Sequence, residues 1–346
     1  MAMRLSMRRQ LLRFKTPLPT AFGELSEREI VTVQLTGQDG ISGFGEAAPL
    51  APYDGIGIER TLEALERHSQ VFAELDDGAL PTNLLDACRN ADPLPQALSA
   101  IDLALWDRAG RRERKPVCAL LVDNPADAVP VNATLAALDR AGAAREAAKA
   151  VAGGFRCLKV KVGIGDDAGR VAAVRAAAGQ EVSLRLDANG AWNVEQAVST
   201  INALSATGLE LVEEPTHGLA QVRQVRDQVP VRIAIDETAA EPGALASGAA
   251  DAVCLKLSRC GGISGLLAAA SLVRASGAEV YIASTFDGPL GVAGALHAAA
   301  ALASRGPLAP CGLATLSLFE GLEDRLPAHG GEVRVPTGPG LGVEPL

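Results

Sequence analysis

The chain has 346 residues, of which 48% are hydrophobic, and its formal net charge is −9. A chain of this length buries one large core or two smaller ones, and a barrel of about 250 residues would leave roughly a hundred for a second unit. The net negative charge argues against nucleic acid as a partner, because binding to phosphates requires clustered Lys and Arg.

The N-terminal third predicts strands followed by helices. Residues 28–49 contain two β-rich runs joined by a Gln-Asp-Gly turn, a pattern typical of a hairpin. Residues 59–76 and 95–112 carry apolar positions at three- and four-residue spacing, which predicts helices. Strands followed by helices indicate a small α+β domain, which we expect over residues 1–125.

From residue 126 onward, strand-like runs alternate with Ala-rich helical runs. The predicted strands are 129–135, 155–163, 182–189, 209–215, 231–237, 251–258 and 278–284, and the predicted helices are 138–152, 166–178, 193–206, 219–227, 241–248 and 263–276. Repeated βα units imply parallel strands. An open doubly wound sheet would need a Gly-rich phosphate loop after its first strand, and the chain has none there.

The pattern therefore predicts an α/β fold with a modified TIM barrel, (β/α)7β, over residues 126–317. An apolar segment near residues 308–313 would supply the last strand. The tail, residues 318–346, is rich in Gly and Pro and is expected to return to the N-terminal domain. The capping domain would then comprise residues 1–125 and the tail.

The cysteines and the N-terminus predict a cytoplasmic protein. The six cysteines form no CxxC pair and no Cys/His spacing suited to zinc, so we expect buried, reduced thiols. The first residues carry charge but lack the apolar segment of a secretory signal, and no apolar run reaches about 18 residues, so no membrane span is expected. A homo-oligomer is compatible with the sequence, which does not define the oligomeric state.

Charged residues end several predicted barrel strands, where a strand core should not hold them. In chain order they are Lys159 and Lys161, Asp187, Glu213 and Glu214, Asp236 and Glu237, and Lys256. From Lys161 to Lys256 the successive steps are 26, 26, 23 and 20 residues, each about one βα unit. We therefore expect these side chains at the C-terminal mouth of the barrel, where barrel enzymes place their active sites.

Three carboxylates that converge in a partly dry site repel each other strongly. A hard divalent cation would resolve this repulsion, and oxygen ligands without His or Cys indicate Mg²⁺, with Mn²⁺ as a substitute. Desolvation and the nearby cation are expected to lower the pKa of a flanking lysine, which would make a neutral amine available as a base. Such a site suits removal of a proton from the carbon beside a carboxylate.

Two other interpretations of these charges are weaker. Each charge taken alone would be a solvent-exposed strand end, but the regular spacing of the whole set disfavours this interpretation. A Schiff-base aldolase would use Lys256 as a covalent nucleophile, but it would leave the carboxylates without a role.

Six segments carry motifs of a known family. They are FGEAAPL (44–50), KVKVG (159–163), LDANGAW (186–192), VEEP (212–215), AIDET (234–238) and LKLSRCGGI (255–263). These motifs resemble the enolase superfamily and, within it, the branch related to muconate-lactonizing enzyme. The resemblance covers essentially the whole chain and implies a Mg²⁺-dependent enzyme that acts on a small-molecule carboxylate.

The resemblance also implies a role for each matching residue. The residues that match metal ligands are Asp187, Glu213 and Asp236. Lys161 resembles the base, Lys159 the lysine that tunes it, and Lys256 the partner lysine on the opposite face of the substrate. Asn189 resembles a polar residue behind the metal. Glu214 and Glu237 are interpreted as supporting charges.

Substrate choice depends on the loops at the barrel mouth. The segments GEAAPLAPYDG, STFDGPLG and CGLATL resemble the o-succinylbenzoate synthases of menaquinone biosynthesis. This implies a lyase that dehydrates a succinyl-hydroxycyclohexadiene carboxylate, with Lys161 acting as base and then as acid while Lys256 stays charged. The expected substrate contacts are Phe22, Tyr53, Ser284, Thr285 and Asp287.

The alternative is a dipeptide epimerase or an N-acylamino acid racemase. Dipeptide epimerases of this family hold the substrate ammonium with an Asp-x-Asp near the last strand, where this chain has CGLATLS. Asp287 would still supply one negative charge, so the dipeptide interpretation stays open. A non-catalytic barrel is a third interpretation, which the intact set of lysines and carboxylates disfavours.

Overall fold

The N-terminal part of the protein begins with an antiparallel sheet. The structure, a computed structural model, describes residues 3–20 and 23–346. Strands β1 (Arg4–Thr20), β2 (Gly23–Thr36) and β3 (Ser42–Ala47) lie side by side in this order. The predicted hairpin is confirmed, because β2 and β3 pair antiparallel across a turn in which Gly40 has a φ of 73°. Glycine adopts this left-handed conformation without a steric penalty.

Helices follow this sheet along the chain, and the second and fourth of them pack against it. The helices are α1 (Ala51–Asp54), α2 (Ile58–Glu74), α3 (Pro81–Ala91), α4 (Pro95–Glu113) and α5 (Val117–Leu121). Helices α2 and α4 correspond to the two predicted helices, whereas α3 has no predicted counterpart. Helix α4 lies so close to β3 that a Cβ atom on Gly45 would come within 1.9 Å of the Ala100 carbonyl oxygen. The glycine therefore permits the tight contact between helix and sheet.

A parallel sheet forms the second part of the molecule. After a short strand β4 (Ala128–Pro130), its strands are β5 (Ala133–Leu135), β6 (Cys157–Lys161), β7 (Ser183–Asp187), β8 (Leu209–Glu213), β9 (Arg232–Ile235), β10 (Ala252–Leu255) and β11 (Glu279–Ile282). They are hydrogen-bonded in chain order from β5 to β11. The repeated βα units thus produce the parallel arrangement that the sequence predicts.

A short segment closes this sheet into a barrel. The Cys311 amide donates to the Pro130 carbonyl at 2.7 Å, and the Gly312 amide donates to the Ile282 carbonyl at 2.8 Å. Residues 311–312 therefore lie between β11 and the start of the first barrel strand, with parallel bridges to both sides. The predicted (β/α)7β architecture is confirmed.

Helices surround the barrel, with differences from the prediction that include an unpredicted short helix at Leu257–Cys260. The helices are α6 (Arg140–Ala152), α7 (Asp167–Ala178), α8 (Val194–Leu204), α9 (Leu219–Arg226), α10 (Leu257–Cys260), α11 (Ile263–Ala275) and α12 (Pro289–Ala303). The helix predicted at 241–248 is wrong, because Pro242 and Gly243 interrupt it and leave 3₁₀ turns at Glu237–Ala240 and Ala244–Ala246. Helix α12 was not among the predicted helices, and it is buried along nearly its whole length, so it lacks an amphipathic pattern.

The tail contacts both parts of the protein. Strands β12 (Ala328–His329) and β13 (Glu332–Arg334) form a small antiparallel sheet with β4. Farther on, the Val117 amide donates to the Gly340 carbonyl at 2.9 Å, and Gln10 Nε2 donates to the Leu346 carbonyl at 2.8 Å. The end of the tail thus reaches the N-terminal part as expected, while the domain boundaries near residues 125 and 318 stay predictions.

The buried apolar side chains form one cluster in the barrel and its surrounding helices, and another between the N-terminal sheet and helices α2 to α4. The N-terminal elements from β1 to α5, here named the capping part, thus have an apolar core separate from that of the barrel. Across residues 3–20 and 23–346, none of the helices is both long and apolar enough to span a membrane.

Candidate active site

Charged side chains gather where the barrel strands end. Lys161 ends β6, and it pairs in register with Asp187 at the end of β7, which in turn pairs with Glu213 at the end of β8. Asp236 directly follows β9 and Lys256 directly follows β10. Because parallel strands end at the same edge, the folding pattern itself brings these side chains together.

Lys159 joins two of the carboxylates. Its Nζ lies 2.9 Å from Asp187 Oδ2 and donates to Glu213 Oε1 at 2.8 Å. Burial alone would lower the pKa of Lys159, but the negative charges of Asp187 and Glu213 outweigh it and raise that pKa well above its usual range. Burial opposes ionisation of Asp187 too, yet the neighbouring lysines hold its pKa well below the ordinary value.

Lys256 lies against the third carboxylate. Its Nζ is 2.7 Å from Asp236 Oδ2, and the side chain is almost fully buried. Burial again disfavours the ammonium, but the Asp236 carboxylate prevails and raises the pKa of Lys256 well above its ordinary value. Lys159 and Lys256 each lie at contact distance from a carboxylate whose charge outweighs burial, while the expected lowering of a lysine pKa by a bound cation stays a prediction.

Lys161 is held from the other side of the site. Its Nζ donates to Asp187 Oδ2 at 2.7 Å and to Asn189 Oδ1 at 2.6 Å. Asn189 Nδ2 in turn donates to Glu237 Oε1 at 3.0 Å. Asn189 thus lies behind the carboxylates, as the resemblance implies, and it fixes the direction of the Lys161 side chain.

Glu214 contacts the backbone of the loop after β9, whereas Glu237 contacts the Asn189 side chain. The buried Glu214 carboxylate accepts hydrogen bonds from the amides of Asp236 at 2.8 Å and Thr238 at 3.0 Å, so it shapes the loop after β9. Burial raises the pKa of Glu214 to about 7. Burial and the nearby charge of Asp236 raise the pKa of Glu237 to about 8. Glu214 is therefore foremost a structural group, a role that its strand-end position did not reveal.

The donor set fits a divalent cation. Oxygens of Glu213 and Asp236 and the Cys254 thiol lie within 4.8 Å of one another, and Asp187 is linked to Glu213 through Lys159. Within the described residues, Glu213 Oε2 is buried and accepts no hydrogen bond, although Lys159 Nζ is 2.8 Å away. Burial raises the pKa of Cys254 well above its ordinary value, so the thiol stays neutral. The charged ligands available to an ion are therefore the carboxylates, which suit Mg²⁺.

A pocket opens above these charges between the capping part and the barrel. Its walls come from β1 and α1 and from the loops after β11 and after residue 312. The charged residues that line it are Lys159, Lys161, Asp187, Asp236 and Lys256. Its apolar lining includes Leu18, Leu50, Phe286 and Leu318. The capping part thus covers the barrel mouth and contributes directly to the wall of the pocket.

The predicted substrate contacts have different outcomes. Tyr53, Ser284 and Thr285 line the pocket. Asp287 does not, because its carboxylate accepts hydrogen bonds from Ser284 Oγ at 2.8 Å and from Thr285 Oγ1 at 2.9 Å. These bonds commit the carboxylate to its own loop, and its expected contact with substrate stays a prediction. Phe22 lies outside the described residues.

The pocket is poor in acidic groups. In the described part of the chain, Asp187 and Asp236 are its carboxylate-bearing lining residues, and none of the remaining four residues of the chain is acidic. Tyr281 Oη and Thr315 Oγ1 are buried without a hydrogen-bond partner among the described residues. An unpaired buried hydroxyl is costly, so both groups favour a ligand that brings hydrogen-bond acceptors.

Sequence reasoning missed several residues of the site, among them Asn132, Thr134, Cys254 and Tyr281. Cys254 carries a usable signal, because it precedes Lys256 by two positions and must share its face of the strand. The others look like ordinary strand and loop residues.

A closed parallel barrel with lysines and carboxylates at its mouth, covered by a capping part, is typical of an enzyme active site. The comparison with known families is specific. The chain belongs to the enolase superfamily, in its muconate-lactonizing branch: residues 3–122 match the mandelate racemase / muconate lactonizing enzyme N-terminal domain, and residues 142–346 match the enolase C-terminal domain-like family.

Relatives within this superfamily carry different activities. The chain is 32% identical over 305 residues to a hydrophobic dipeptide epimerase of Enterococcus faecalis, covering 84% of each chain. It is 39% identical over 216 residues to an o-succinylbenzoate synthase of Thermobifida fusca, covering 59% of this chain and 66% of that one. The solved dipeptide epimerase of Enterococcus faecalis V583, in complex with Mg and L-Leu-L-Tyr, superposes with a TM-score of 0.88 at 28% identity and covers 99% of each chain.

Proposed function

We propose that the protein is a Mg²⁺-dependent racemase or epimerase that inverts the carbon between a carboxylate and an acylated nitrogen. The observation that carries this proposal is the placement of Lys161 and Lys256. Around the described barrel, β10 is the fourth strand from β6 in either direction. One route passes β7, β8 and β9, and the other passes β5, residues 311–312 and β11. The two lysines therefore face each other across the pocket.

Facing lysines suit inversion at carbon. One neutral amine removes the proton from one face of the substrate, and the opposite ammonium delivers a proton to the other face. The two exchange roles when the reaction runs backwards. Lys159, bonded to two carboxylates, stays protonated and offsets part of their negative charge.

Asp187, Glu213 and Asp236 would hold the Mg²⁺. The ion would offset the negative charge that develops on the substrate carboxylate as the proton leaves. Because Lys161 and Lys256 now bond to the Asp187 and Asp236 carboxylates, a cation held by the same oxygens would compete with both ammoniums. Such competition favours the neutral amine that a base requires.

The comparisons support this proposal over dehydration. The similarity to the dipeptide epimerase extends over 84% of the chain, whereas the similarity to the o-succinylbenzoate synthase covers 59%. The three loop segments favour the synthase, but they are a smaller part of the chain than the match to the epimerase.

The pocket indicates an acylated rather than a free amine. A dipeptide presents an ammonium, which needs a carboxylate partner when it leaves water. The carboxylates that line the described pocket are the proposed metal ligands Asp187 and Asp236, and Asp287 is committed to its own loop. The unpaired hydroxyls of Tyr281 and Thr315 suit the carbonyl oxygen of an acyl group instead. We therefore favour N-acylamino acids over free dipeptides.

Dehydration to o-succinylbenzoate is the second candidate. It is favoured by the 39% identity to the synthase and by the apolar lining near Phe286 and Leu318. The missing acidic anchor is equally compatible with this substrate, which has no ammonium.

The test is a comparison of kcat/KM values on one enzyme preparation with Mg²⁺. The substrates are N-acetyl and N-succinyl derivatives of apolar amino acids, free hydrophobic dipeptides, and the succinyl-hydroxycyclohexadiene carboxylate. The proposal expects inversion of an N-acyl derivative to have the highest value. A higher value for the cyclohexadiene would replace the proposal with the synthase.

A further inference from the structure

A tyrosine of the capping part reaches the charged cluster of the barrel. Tyr53 belongs to helix α1, and its hydroxyl donates to Asp236 Oδ1 at 2.7 Å. The other oxygen of the same carboxylate, Oδ2, is 2.7 Å from Lys256 Nζ. Tyr53 and Lys256 therefore share Asp236, each holding one oxygen.

Arg259 fixes the direction of the Tyr53 hydroxyl. Arg259 Nη1 donates to the hydroxyl oxygen at 2.6 Å, and Nη2 of the same guanidinium donates to the Glu237 carbonyl at 3.2 Å. A guanidinium only donates, and a hydroxyl carries one proton. The Tyr53 oxygen must therefore accept from Arg259 and use its single proton for Asp236.

The Tyr53 ring also contacts Lys256 directly. Lys256 Nζ lies 4.7 Å from the ring centre, a distance at which the electron-rich ring attracts an ammonium. Lys256 is thus restrained twice, by the ring and by the carboxylate that the hydroxyl orients. Lys161 is held instead by Asp187 and Asn189, neither of which is bonded to Tyr53.

The capping part holds Tyr53 in place. The neighbouring Asp54 accepts the amide of Ile56 at 2.9 Å and Gln96 Nε2 at 2.9 Å, so the turn that carries Tyr53 is tied to the start of helix α4. Gln96 is itself buried. The position of the tyrosine backbone is therefore set by the capping part, while its hydroxyl is oriented by Asp236 and Arg259 of the barrel.

We infer that Tyr53 is a positioning residue for one half of the site: it aligns Asp236 and Lys256, so the capping part controls proton transfer on the Lys256 face alone. This inference rests on the proposed function, because it assumes that Lys161 and Lys256 serve opposite faces of one substrate. Tyr53 does not transfer the proton itself.

The experiment measures exchange of the α-proton for solvent deuterium by NMR, separately for each enantiomer of an N-acylamino acid. The enantiomer whose exchange is lost in Lys256→Ala reports the Lys256 face, and the one lost in Lys161→Ala reports the other face. In Tyr53→Phe, which keeps the ring, exchange on the Lys256 face should fall about ten-fold or more, within the range expected for a misplaced acid or base. At saturating Mg²⁺, exchange on the Lys161 face should change by less than about three-fold.

Two further variants and one binding measurement complete the test. Tyr53→Leu, which also removes the ring, should show a larger loss on the Lys256 face, and Arg259→Gln should show a loss in the same direction. Calorimetric titration of Mg²⁺ without substrate should show roughly ten-fold weaker binding in Tyr53→Phe, as expected when a group that orients a metal ligand is removed. Thermal melting identifies any variant that is not folded.

The outcomes separate this inference from the proposed function. If the wild type exchanges neither enantiomer of any N-acylamino acid, the proposed function fails, and unchanged Mg²⁺ affinity in Tyr53→Phe would then overturn the inference as well. If the wild type exchanges both enantiomers but Tyr53→Phe slows both equally, or neither, the inference about Tyr53 is wrong while the proposed function stands.

Discussion

Lys161 and Lys256 face each other across the pocket, and each ammonium lies 2.7 Å from the carboxylate of a different strand, Asp187 and Asp236 respectively. On one side of the barrel, β7 and β9, which lead to the two carboxylates, lie between β6 and β10, which lead to the two lysines. This relationship gives the substrate a lysine on each face and a cluster of negative charge between them.

Removing one charge from the cluster should weaken Mg²⁺ binding. Glu213→Gln and Asp187→Asn are each expected to lower the affinity about ten-fold or more, because a neutral amide is a poorer ligand for a hard cation. Isothermal titration calorimetry on the protein without substrate measures this. Glu195→Gln, the same change at an exposed position of α8, serves as the control and should bind Mg²⁺ like the wild type.

Cys254, whose thiol lies near the carboxylates, provides a second test of which residues bind the ion. Cys254→Ser should leave Mg²⁺ affinity within about three-fold of the wild type, because magnesium is bound by oxygen rather than by neutral sulfur. If Cys254→Ser weakens binding and Asp187→Asn does not, the ion is held by Glu213, Asp236 and Cys254, and the ligand set proposed above is incorrect.

Supplying an acidic anchor should change substrate preference. Thr315→Asp adds a carboxylate to the pocket lining, where it would attract the ammonium of a free dipeptide and repel an acyl carboxylate. The ratio of kcat/KM for a free hydrophobic dipeptide to that for an N-succinylamino acid should rise about ten-fold or more. Thr315→Asn has nearly the same shape without the charge, and an equal shift in that variant would show that charge is not the cause.

Acid should destabilise the protein through His297. Its Nδ1 accepts the Cys118 amide at 3.2 Å, and its Nε2 lies 3.1 Å from the Leu341 carbonyl, so the neutral ring joins α12 to α5 and to the tail. Burial lowers the pKa of His297 from 6.5 to about 4. The unfolded chain therefore takes up the proton first, and stability that is complete above pH 6.5 is lost as the pH falls towards 4.

This loss amounts to something on the order of 3 kcal/mol for a shift of this size. Thermal or urea unfolding between pH 7 and pH 4 measures it, with His297→Asn as the comparison, because asparagine retains an acceptor but does not titrate. The variant should be less stable near pH 7 and should lose less stability towards pH 4. Parallel curves for the two proteins would contradict the account. The buried carboxyl of Glu46, whose pKa burial raises to about 8, acts in the opposite direction in both proteins and cancels in the difference.

The charged cluster could be predicted because it obeys the repeat of the barrel. A lysine or a carboxylate that ends a strand at each βα step, as Lys161, Asp187 and Glu213 do, must arrive at the same edge of a parallel sheet. The fold class follows from the same repetition. Two helices could not be predicted correctly from the pattern. Helix α12 is apolar on every side, so it has no amphipathic period, and Pro242 converts a predicted helix into 3₁₀ turns.

The pocket could not be predicted to the same extent, because its walls depend on distances that only the folded chain sets. Tyr281 looks like an ordinary strand residue until barrel closure by residues 311–312 turns it towards the pocket. Asp287 looks like a free carboxylate until Ser284 and Thr285 are seen to bond with it. The pKa values of the lysines are a third case, since burial and ion pairing act in opposite directions and their balance depends on contacts of 2.7 to 2.9 Å.

The central claim is that the two facing lysines act on opposite faces of one carbon, and α-proton exchange in deuterium oxide tests it most directly. An N-acylamino acid is supplied as either pure enantiomer to the wild type, Lys161→Ala and Lys256→Ala, each with Mg²⁺, and both exchange and inversion are followed by NMR and chiral chromatography. The account predicts that the wild type exchanges and inverts both enantiomers. Each variant should lose inversion by about 10²-fold or more and retain exchange of a different single enantiomer. Loss of exchange for the same enantiomer in both variants, or inversion that survives either substitution, would contradict the account.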